Sequence, residues 1–222
     1  MKKYAIIVAG GTGTRMQTGL PKQFLLLRDK PVIVYSMEAF YNYDPAIGII
    51  LVIHPTYITY FEQLIKRIGL SVPFKVVPGG EMRFHSVKNG LQLIEEDGLV
   101  AIHDAARPLI SIDFIARQFA EASTYDSAMP GIALKDTIRL IESDTSLQLD
   151  RTKLRAMQTP QVFRVSDLKK AYDQEFQPLF TDDASVMQAA GFPLHLTHGS
   201  PQNIKITNPE DIALAEVLLS QM

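Results

Sequence analysis

The sequence predicts an α/β fold in which helices flank a mostly parallel sheet. Apolar runs of strand length recur along the chain, and helical patterns separate them. The runs are apolar throughout, which is typical of strands that are covered on both faces. Alternation of such strands with helices is typical of a parallel sheet. The chain has 222 residues, and we expect residues 1–222 to form a single domain.

The elements are predicted in order from these patterns. Strands are expected at 4–9, 47–53, 74–77, 99–103 and 128–134, and helices between them at 31–41, 57–68, 83–95 and 112–124. Ser111 and Asp113 are both plausible caps for the last of these helices. Farther on, the pattern predicts a strand at 157–163, a helix at 183–190 and a terminal helix at 209–219. Asn208 is the expected N-cap of the terminal helix.

The strand–helix alternation stops after Leu134. Residues 135–141 alternate between polar and apolar, residues 142–146 are rich in turn formers, and alternation resumes at 147–149. This pattern predicts a protruding, two-stranded β-arm at about residues 135–151. A hairpin alone is marginally stable in water, so we expect the arm to pack on another surface, such as that of a partner subunit.

Composition excludes several classes of function. The net charge of −2 gives no support to nucleic-acid or membrane partners. The chain has no cysteine, which rules out disulfides and thiolate metal sites and agrees with a reducing compartment. The first apolar run is too short for a signal peptide, and no run reaches the length of a membrane span. We therefore expect a cytoplasmic protein.

The end of the first predicted strand carries a pattern suited to phosphate. The strand stops at Gly10, Gly11 and Gly13, with Arg15 directly after them and Lys22 seven residues later. Glycines let the backbone approach an anion closely and direct N–H groups at it. The two cations would neutralise its charge. The pattern favours a polyphosphate loop over a tight turn with solvated charges.

Two better-known phosphate loops do not match this segment. The dinucleotide pattern G-x-G-x-x-G, begun at Gly11, would require glycine where Met16 stands. The Walker pattern requires Gly-Lys-Ser or Gly-Lys-Thr, which the chain lacks. A nicotinamide oxidoreductase is therefore disfavoured.

Further charged and hydroxyl-bearing residues fall in loops between the predicted elements. Ligands of parallel sheets bind beyond the carboxyl ends of the strands, where some of these loops lie. Several cations that converge on one crevice favour a triphosphate together with a second phosphorylated molecule, although any one of them could be an ordinary surface charge. The candidates are Arg83, Ser86, Asp104, Arg107, Thr137, Arg151, Thr159, Thr181 and Lys205.

The sequence predicts no metal site built from protein side chains. Only His195 and His198 approach the spacing of zinc ligands, and solvated or hydrogen-bonded histidines are favoured there. Asp182 and Asp183 could form a metal-binding pair, but Thr-Asp-Asp-Ala before a helical pattern more often marks a capped helix start.

Seven motifs occur in an order that extends over essentially the whole chain. They are Ala-Gly-Gly-Thr-Gly-Thr-Arg-Met, Pro-Lys-Gln, Gly-Gly-Glu-Met-Arg-Phe-His-Ser-Val, His-Asp-Ala-Ala-Arg-Pro, Gln-Thr-Pro-Gln, Thr-Asp-Asp-Ala-Ser and Asn-Ile-Lys-Ile-Thr-Asn-Pro. In this order the chain resembles the 2-C-methyl-D-erythritol 4-phosphate cytidylyltransferase family of non-mevalonate isoprenoid synthesis.

The resemblance implies a Rossmann-like core, CTP and a sugar-alcohol phosphate as substrates, and Mg²⁺ as the cofactor. It implies catalytic roles for Arg15, Lys22 and Lys205. It implies CTP contacts from Ala9, Gly10, Gly11, Thr12, Gly13, Gly80, Glu81, Ser86 and Asp104. It implies acceptor contacts from Asp104, Thr137, Arg151, Thr159 and Thr181.

The resemblance also implies a homodimer in which the β-arm donates Thr137 and Arg151 to the neighbouring subunit's acceptor site. Two departures from the family pattern are visible. Many relatives have a Leu-Trp pair soon after the arm arginine, whereas this chain has no Trp, and Glu81 stands where some relatives have Asp or Ala. A ribitol-5-phosphate cytidylyltransferase and a non-catalytic nucleotide-binding protein remain as alternatives.

Overall fold

The computed structural model of the chain describes residues 1–11 and 19–221. Within these ranges the strands are β1 Lys2–Ala9, β2 Leu26–Leu27, β3 Lys30–Pro31, β4 Gly48–Ile53, β5 Lys75–Pro78, β6 Gly98–Asp104, β7 Ser127–Ala133, β8 Ile138–Glu142, β9 Thr145–Leu149, β10 Arg155–Met157, β11 Gln161–Arg164 and β12 Leu196–His198. The helices are α1 Val32–Tyr43, α2 Ile58–Ile68, α3 Arg83–Gln92, α4 Ile112–Tyr125, α5 Val165–Ala171, α6 Asp183–Ala189 and α7 Glu210–Leu219.

Most of the larger strands join one central sheet. Its order is β10-β7-β11-β6-β1-β4-β5, and β12 pairs with β7 outside this path. The pairs β1–β4, β1–β6, β4–β5 and β7–β12 are parallel, whereas β10 and β11 run antiparallel to their neighbours. The predicted α/β fold with a mostly parallel sheet is confirmed.

The sheet separates two apolar cores, which explains why its strands are apolar throughout. Ile7 in β1 packs in one core with side chains of α1, α2 and α4, such as Phe40 and Phe119. Its neighbour Ile6 packs in the other core with side chains of α3, α5 and α6, such as Leu168. Successive residues of a strand point to opposite faces, so both must be apolar when helices cover both faces. None of the helices described here is long and apolar enough to cross a membrane.

One predicted strand is wrong in detail. The expected strand at 157–163 is two short strands, β10 and β11. They pair antiparallel with β7 from opposite sides, and β11 also pairs with β6. Pro160 stands between them, preceded by a cis peptide bond from Thr159. Proline has no N–H to donate to a sheet ladder, so a continuous strand through this position is disfavoured.

The predicted cap of α7 is also wrong. Of the two candidates at α4, Ser111 is confirmed as the N-cap, and Asp113 lies in the first turn. The Ser111 hydroxyl accepts a hydrogen bond from the Phe114 N–H at 3.1 Å. At α7, the carboxylate of Asp211 in the first turn accepts from the N–H groups of Thr207 and Asn208, at 2.7 and 2.8 Å. Asn208 therefore donates its backbone N–H to this carboxylate, and its side chain does not cap the helix.

Strands β8 and β9 form a separate antiparallel hairpin, paired from Ile138 with Leu149 to Glu142 with Thr145. The hairpin begins three residues later than the alternation at 135–141 suggested. Its apolar side chains Leu140, Ile141 and Leu147 are exposed. The described residues of this chain leave these three side chains open to solvent.

The carboxyl ends of the central strands bring the predicted loops together. Val8 of β1 lies opposite Val52 of β4 on one side and Asp104 of β6 on the other. The Ala105 N–H donates to the Val8 carbonyl at 3.0 Å, which fixes the two strand ends to each other. The segment after β1 therefore begins beside Asp104.

Candidate functional site

A cleft of about 400 Å³ opens at this edge of the sheet. Five parts of the chain line it: the end of β1, the end of β6, the start of α3 with the segment before it, the turn at Lys22 and the segment before α7. The lining residues are Val8, Ala9, Gly10, Gly11, Lys22, Gln23, Gly80, Glu81, Met82, Arg83, Ser86, Asp104, Ala105, Ala106, Lys205 and Thr207.

Gln23 fixes the start of the glycine segment. Its buried side-chain amide donates to the carbonyls of Ala9 and Gly11, at 2.9 and 3.0 Å. Phe24 is buried next to it, with its ring 5.6 Å from that of Tyr60. The short 3₁₀ turn Lys22–Phe24 is therefore anchored by two neighbouring side chains. This anchoring places the Lys22 backbone at the cleft.

A second glycine segment approaches the first across Ser86. The Ser86 hydroxyl accepts from the Gly80 N–H at 3.1 Å. A Cβ atom added to Gly10 would lie 3.0 Å from this hydroxyl, and one added to Gly79 would lie 3.3 Å from it. Only a small residue at each of these positions permits such a close approach of the two backbones.

Asp104 lies at the base of the cleft among cations. Lys205 Nζ donates to Oδ2 at 2.7 Å, and Arg83 Nε donates to Oδ1 at 3.4 Å. Arg107 Nε lies 3.9 Å from Oδ2. Burial alone would raise the pKa of Asp104, but the charges of Arg83 and Lys205 outweigh it and hold that pKa well below its usual range. The carboxylate is therefore ionised at neutral pH.

A chain of hydrogen bonds through Thr159 and His103 fixes the backbone of Asp104. The Asp104 N–H donates to the Thr159 hydroxyl at 3.0 Å, and this hydroxyl lies 3.1 Å from His103 Nδ1. His103 Nε2 lies 3.0 Å from the Arg107 carbonyl, which can only accept, so Nε2 carries the proton and Nδ1 accepts from Thr159. Burial lowers the pKa of His103 to about 4, which keeps the ring neutral.

The segment that carries Lys205 is held by hydrogen bonds on both sides of that residue. The Ile206 N–H donates to the Ala106 carbonyl at 2.8 Å. The buried Asn203 amide donates to the Thr159 carbonyl at 2.8 Å, and the Asn203 carbonyl accepts from Arg107 Nη1 at 2.8 Å. Lys205 therefore reaches the cleft from a backbone fixed to the loop after β6.

Arg83 connects the cleft to a buried acidic group. Its Nη2 donates to Asp183 Oδ2 at 2.7 Å, and the other oxygen of Asp183 accepts from the Tyr172 hydroxyl at 2.7 Å. Burial and the neighbouring Asp183 carboxylate raise the pKa of Tyr172 well above its usual value, so its hydroxyl keeps its proton. The sequence pattern gave no sign of this connection.

The structure brings together most of the residues implied for catalysis and for CTP binding. Ala9, Gly10, Gly11, Lys22, Gly80, Glu81, Ser86, Asp104 and Lys205 all line the cleft. Thr12, Gly13 and Arg15 lie outside the described residues. The CTP contacts and catalytic roles predicted for all of these residues stay predictions.

The residues implied for the acceptor are dispersed. Thr137 and Arg151 are exposed near the foot of the hairpin, where the Arg151 guanidinium donates to the Lys135 carbonyl. Thr181 is exposed just before α6. The hydrogen of the Thr159 hydroxyl is directed to His103, and the predicted contact of Thr159 with the acceptor stays a prediction. Thr159 supports Asp104 in this arrangement.

The acidic pair before α6 is a capped helix start, as one of the two interpretations predicted. Asp182 Oδ1 accepts from the Ser185 N–H at 2.9 Å. Asp183 pairs with Arg83 instead of with its neighbour. Throughout 1–11 and 19–221, no three histidine, aspartate or glutamate side chains form a group that could hold a metal ion.

The geometry suits the binding of a polyphosphate. Lys22, Arg83 and Lys205 face a cleft whose wall includes the glycine backbone of Gly10 and Gly11. Fixed cations and backbone N–H groups stabilise phosphate oxygens without needing to reorganise. Asp104 keeps Arg83 and Lys205 close together before an anion arrives.

Comparison with known proteins gives a consistent result. The model of the family described as "IspD: 2-C-methyl-D-erythritol 4-phosphate cytidylyltransferase" matches residues 4–221. The 2-C-methyl-D-erythritol 4-phosphate cytidylyltransferase of Bacteroides thetaiotaomicron is 46% identical over 219 residues, which cover 99% of this chain and 100% of that protein. The protein of the same name from Porphyromonas gingivalis is 40% identical over 220 residues, which cover 99% of this chain and 98% of that protein.

Solved structures agree with the sequence matches. The crystal structure of the Francisella tularensis 2-C-methyl-D-erythritol 4-phosphate cytidylyltransferase superimposes with a TM-score of 0.80 and 28% sequence identity. The match covers 98% of this chain and 100% of that chain.

The neutral state of His103 predicts a loss of stability in mild acid. The pKa of His103 is lower in the folded chain than in the unfolded chain, so the unfolded chain binds more protons between these two pKa values. The free energy of unfolding therefore falls as the pH decreases from about 6.5 to about 4. The shift corresponds to about 3 kcal/mol of unfolding free energy. Urea unfolding at a series of pH values should show a steeper decline for the wild type than for His103→Gln. Parallel declines would contradict the assignment.

Proposed function

Because the chain belongs to the 2-C-methyl-D-erythritol 4-phosphate cytidylyltransferase family, we propose that it transfers CMP from CTP to 2-C-methyl-D-erythritol 4-phosphate. The products are CDP-methylerythritol and pyrophosphate, and the reaction serves non-mevalonate isoprenoid synthesis. The observation that carries the proposal is the meeting of the glycine segment, Lys22, Asp104 and Lys205 in one cleft. The absence of cysteine agrees with a cytoplasmic location, which is part of the proposal.

The chemistry requires no nucleophile from the protein. The acceptor carries a phosphate monoester, which is largely dianionic at neutral pH. One of its oxygens forms a bond to the α-phosphorus of CTP as the bond from that phosphorus to the β-phosphate oxygen breaks. Two strongly charged anions must be held in line while charge develops at the α-phosphate and on the leaving pyrophosphate. Positioning and electrostatic stabilisation therefore supply the catalysis.

The residues of the cleft have separate roles in this catalysis. Lys22 and Lys205 stabilise the charge that develops at the α-phosphate, and the backbone of Gly10 and Gly11 cradles the triphosphate. By resemblance to the family, Arg15 holds the departing pyrophosphate. Asp104 orients Lys205 through their 2.7 Å hydrogen bond, so the ammonium group is already placed when the substrates bind.

The segment before α3 is proposed to recognise the cytosine base. Gly80, Glu81 and Ser86 line the same cleft as the glycine segment. Ser86 already accepts from the Gly80 N–H, which fixes the backbone next to Glu81. Backbone groups at this segment and the Glu81 side chain are then available to the base.

Mg²⁺ is proposed as the cofactor, and the cleft fits an ion carried by the nucleotide. Mg²⁺ commonly binds through one or two carboxylates together with substrate phosphates and water. Glu81 and Asp104 are the carboxylates that line the described cleft, and Asp104 is already bonded to Lys205. Phosphate oxygens and water would therefore supply most of the ligands. The ion would offset triphosphate charge.

A homodimer is proposed to complete the acceptor site. Thr137 and Arg151 lie near the foot of the β8–β9 hairpin, away from the cleft lining of their own chain. The exposed apolar side chains Leu140, Ile141 and Leu147 of the hairpin offer a surface for a second copy. In that arrangement the hairpin of one subunit presents Thr137 and Arg151 to the acceptor bound by the other. Thr181, exposed before α6, is proposed to contact the acceptor phosphate.

The activity is tested by pyrophosphate release. With Mg²⁺ present, we expect release from CTP with 2-C-methyl-D-erythritol 4-phosphate, and much slower release with ATP, GTP or UTP or with ribitol 5-phosphate. The comparison of acceptors separates the two related cytidylyltransferase activities. Failure of every nucleotide and acceptor pair would contradict the proposal and favour a binding protein.

The two lysines of the cleft should be essential for turnover. Lys22→Ala and Lys205→Ala are each expected to lower kcat about 10²–10³-fold, by analogy with loss of one oxyanion donor. Lys66→Ala, at an exposed position in the last turn of α2, is the matched control and should keep its rate. Near-normal turnover of either cleft variant would refute its role.

The hairpin should control assembly. Ile141→Asp is expected to shift the protein from dimer to monomer in sedimentation experiments, because it places a charge among exposed apolar side chains that the partner would cover. Turnover should fall in parallel as Arg151 leaves the neighbouring site. Val217→Asp, at an exposed apolar position of α7, is the control. A wild-type monomer with full activity would disprove this arrangement.

A further inference from the structure

Asp183 is fully buried, and no step of the proposed transfer uses it. A buried carboxylate is costly unless it is paired and hydrogen-bonded. Asp183 has both kinds of partner: Arg83 Nη2 donates to one oxygen and the Tyr172 hydroxyl to the other, each at 2.7 Å. The Tyr172 ring is itself fixed by stacking on Phe84, with centroids 4.7 Å apart. The position of this carboxylate is therefore well determined.

Asp183 is not buried in order to cap α6, because its neighbour Asp182 caps that helix. Asp182 accepts from the Ser185 N–H at 2.9 Å and from the Gln161 side-chain amide at 2.8 Å. The two adjacent aspartates thus have separate partners. Asp182 begins the helix, and Asp183 holds a cation that lines the cleft.

Arg83 stands between two carboxylates with unequal contacts. Its bond to Asp183 is short, at 2.7 Å, whereas its Nε lies at 3.4 Å from Asp104. An arginine that is not otherwise engaged pairs with a carboxylate through two parallel N–H bonds. Such a pair with Asp104 would compete with the 2.7 Å bond that Lys205 makes to the same carboxylate.

We infer that Asp183 is a positioning residue for nucleotidyl transfer, which holds Arg83 back so that Lys205 keeps the close bond to Asp104. Tyr172 assists by fixing Asp183 from the side opposite Arg83. The inference rests on the proposed function, because it assigns the effect to the transfer step. It predicts that loss of the Asp183 charge disturbs the cleft only through Arg83.

A double-mutant cycle tests this inference. Asp183→Asn keeps the size of the side chain and removes its charge, and we expect kcat for pyrophosphate release to fall at least about tenfold, with a smaller change in KM for CTP. In an Arg83→Gln background the same substitution should change kcat by less than about twofold, because the group through which it acts is gone. A residue that supports only the local fold would not give this dependence on Arg83.

Asp182→Asn is the matched control. It makes the same change of charge one residue away, and asparagine remains a good N-cap. We expect its kcat to stay within about twofold of the wild type. Thermal unfolding of all variants separates a loss of kcat from a loss of folded protein.

Several outcomes would overturn the inference. One is a folded Asp183→Asn variant with wild-type kcat, and another is an equal loss of kcat in the presence and absence of Arg83. If Asp183→Asn does not fold, Tyr172→Phe decides, because it keeps the ring and removes only the hydroxyl. A kcat loss for Tyr172→Phe that disappears in the Arg83→Gln background supports the inference, and an unchanged kcat refutes it. A wild-type protein without pyrophosphate release would instead refute the proposed function.

Discussion

The ionised carboxylate of Asp104 allows the cations of the cleft to lie close together. Lys205, Arg83 and Arg107 all approach it, at 2.7, 3.4 and 3.9 Å. Cations grouped around one position in a partly buried site repel one another by roughly several kcal/mol, unless an opposite charge lies between them. Asp104 provides this charge while the cleft has no substrate. A protein that binds two phosphorylated molecules needs concentrated positive charge, and a central anion makes that concentration compatible with a folded chain.

The sheet and the hydrogen bonds of His103 and Thr159 determine the position of Asp104. β6 lies beside β1, so the last residue of β6 falls next to the start of the glycine segment. The neutral His103 ring and the Thr159 hydroxyl hold the Asp104 backbone N–H, and Asn203 connects Thr159 to the segment of Lys205. Three stretches that are far apart in the sequence are therefore joined by buried hydrogen bonds. The position of Lys205 depends on side chains that never reach the cleft.

Local patterns in the sequence predicted much of this arrangement. Apolar runs revealed the central strands because both faces of the sheet are buried. The glycines after β1 predicted a phosphate loop, and Gly10 and Gly11 do line the cleft. The break at Pro160 was not predicted, although proline cannot continue a sheet ladder and so indicates it. The bond of Arg83 to Asp183 spans 100 residues, and the sequence contains no periodicity that could indicate it. The contact of Thr159 with His103 could not be predicted for a similar reason, because the two residues lie 56 positions apart.

The contact of the two glycine segments across Ser86 has a consequence for selectivity. One hydroxyl separates Gly10 from Gly79 and Gly80, and it also orders the backbone next to Glu81. The distance between the wall proposed to face the phosphates and the wall proposed to face the base is therefore governed by the volume of a single small side chain. A bulkier residue there would force the two walls apart while the sheet beneath stayed unchanged. Discrimination among nucleobases of different size can thus be adjusted at one position of α3.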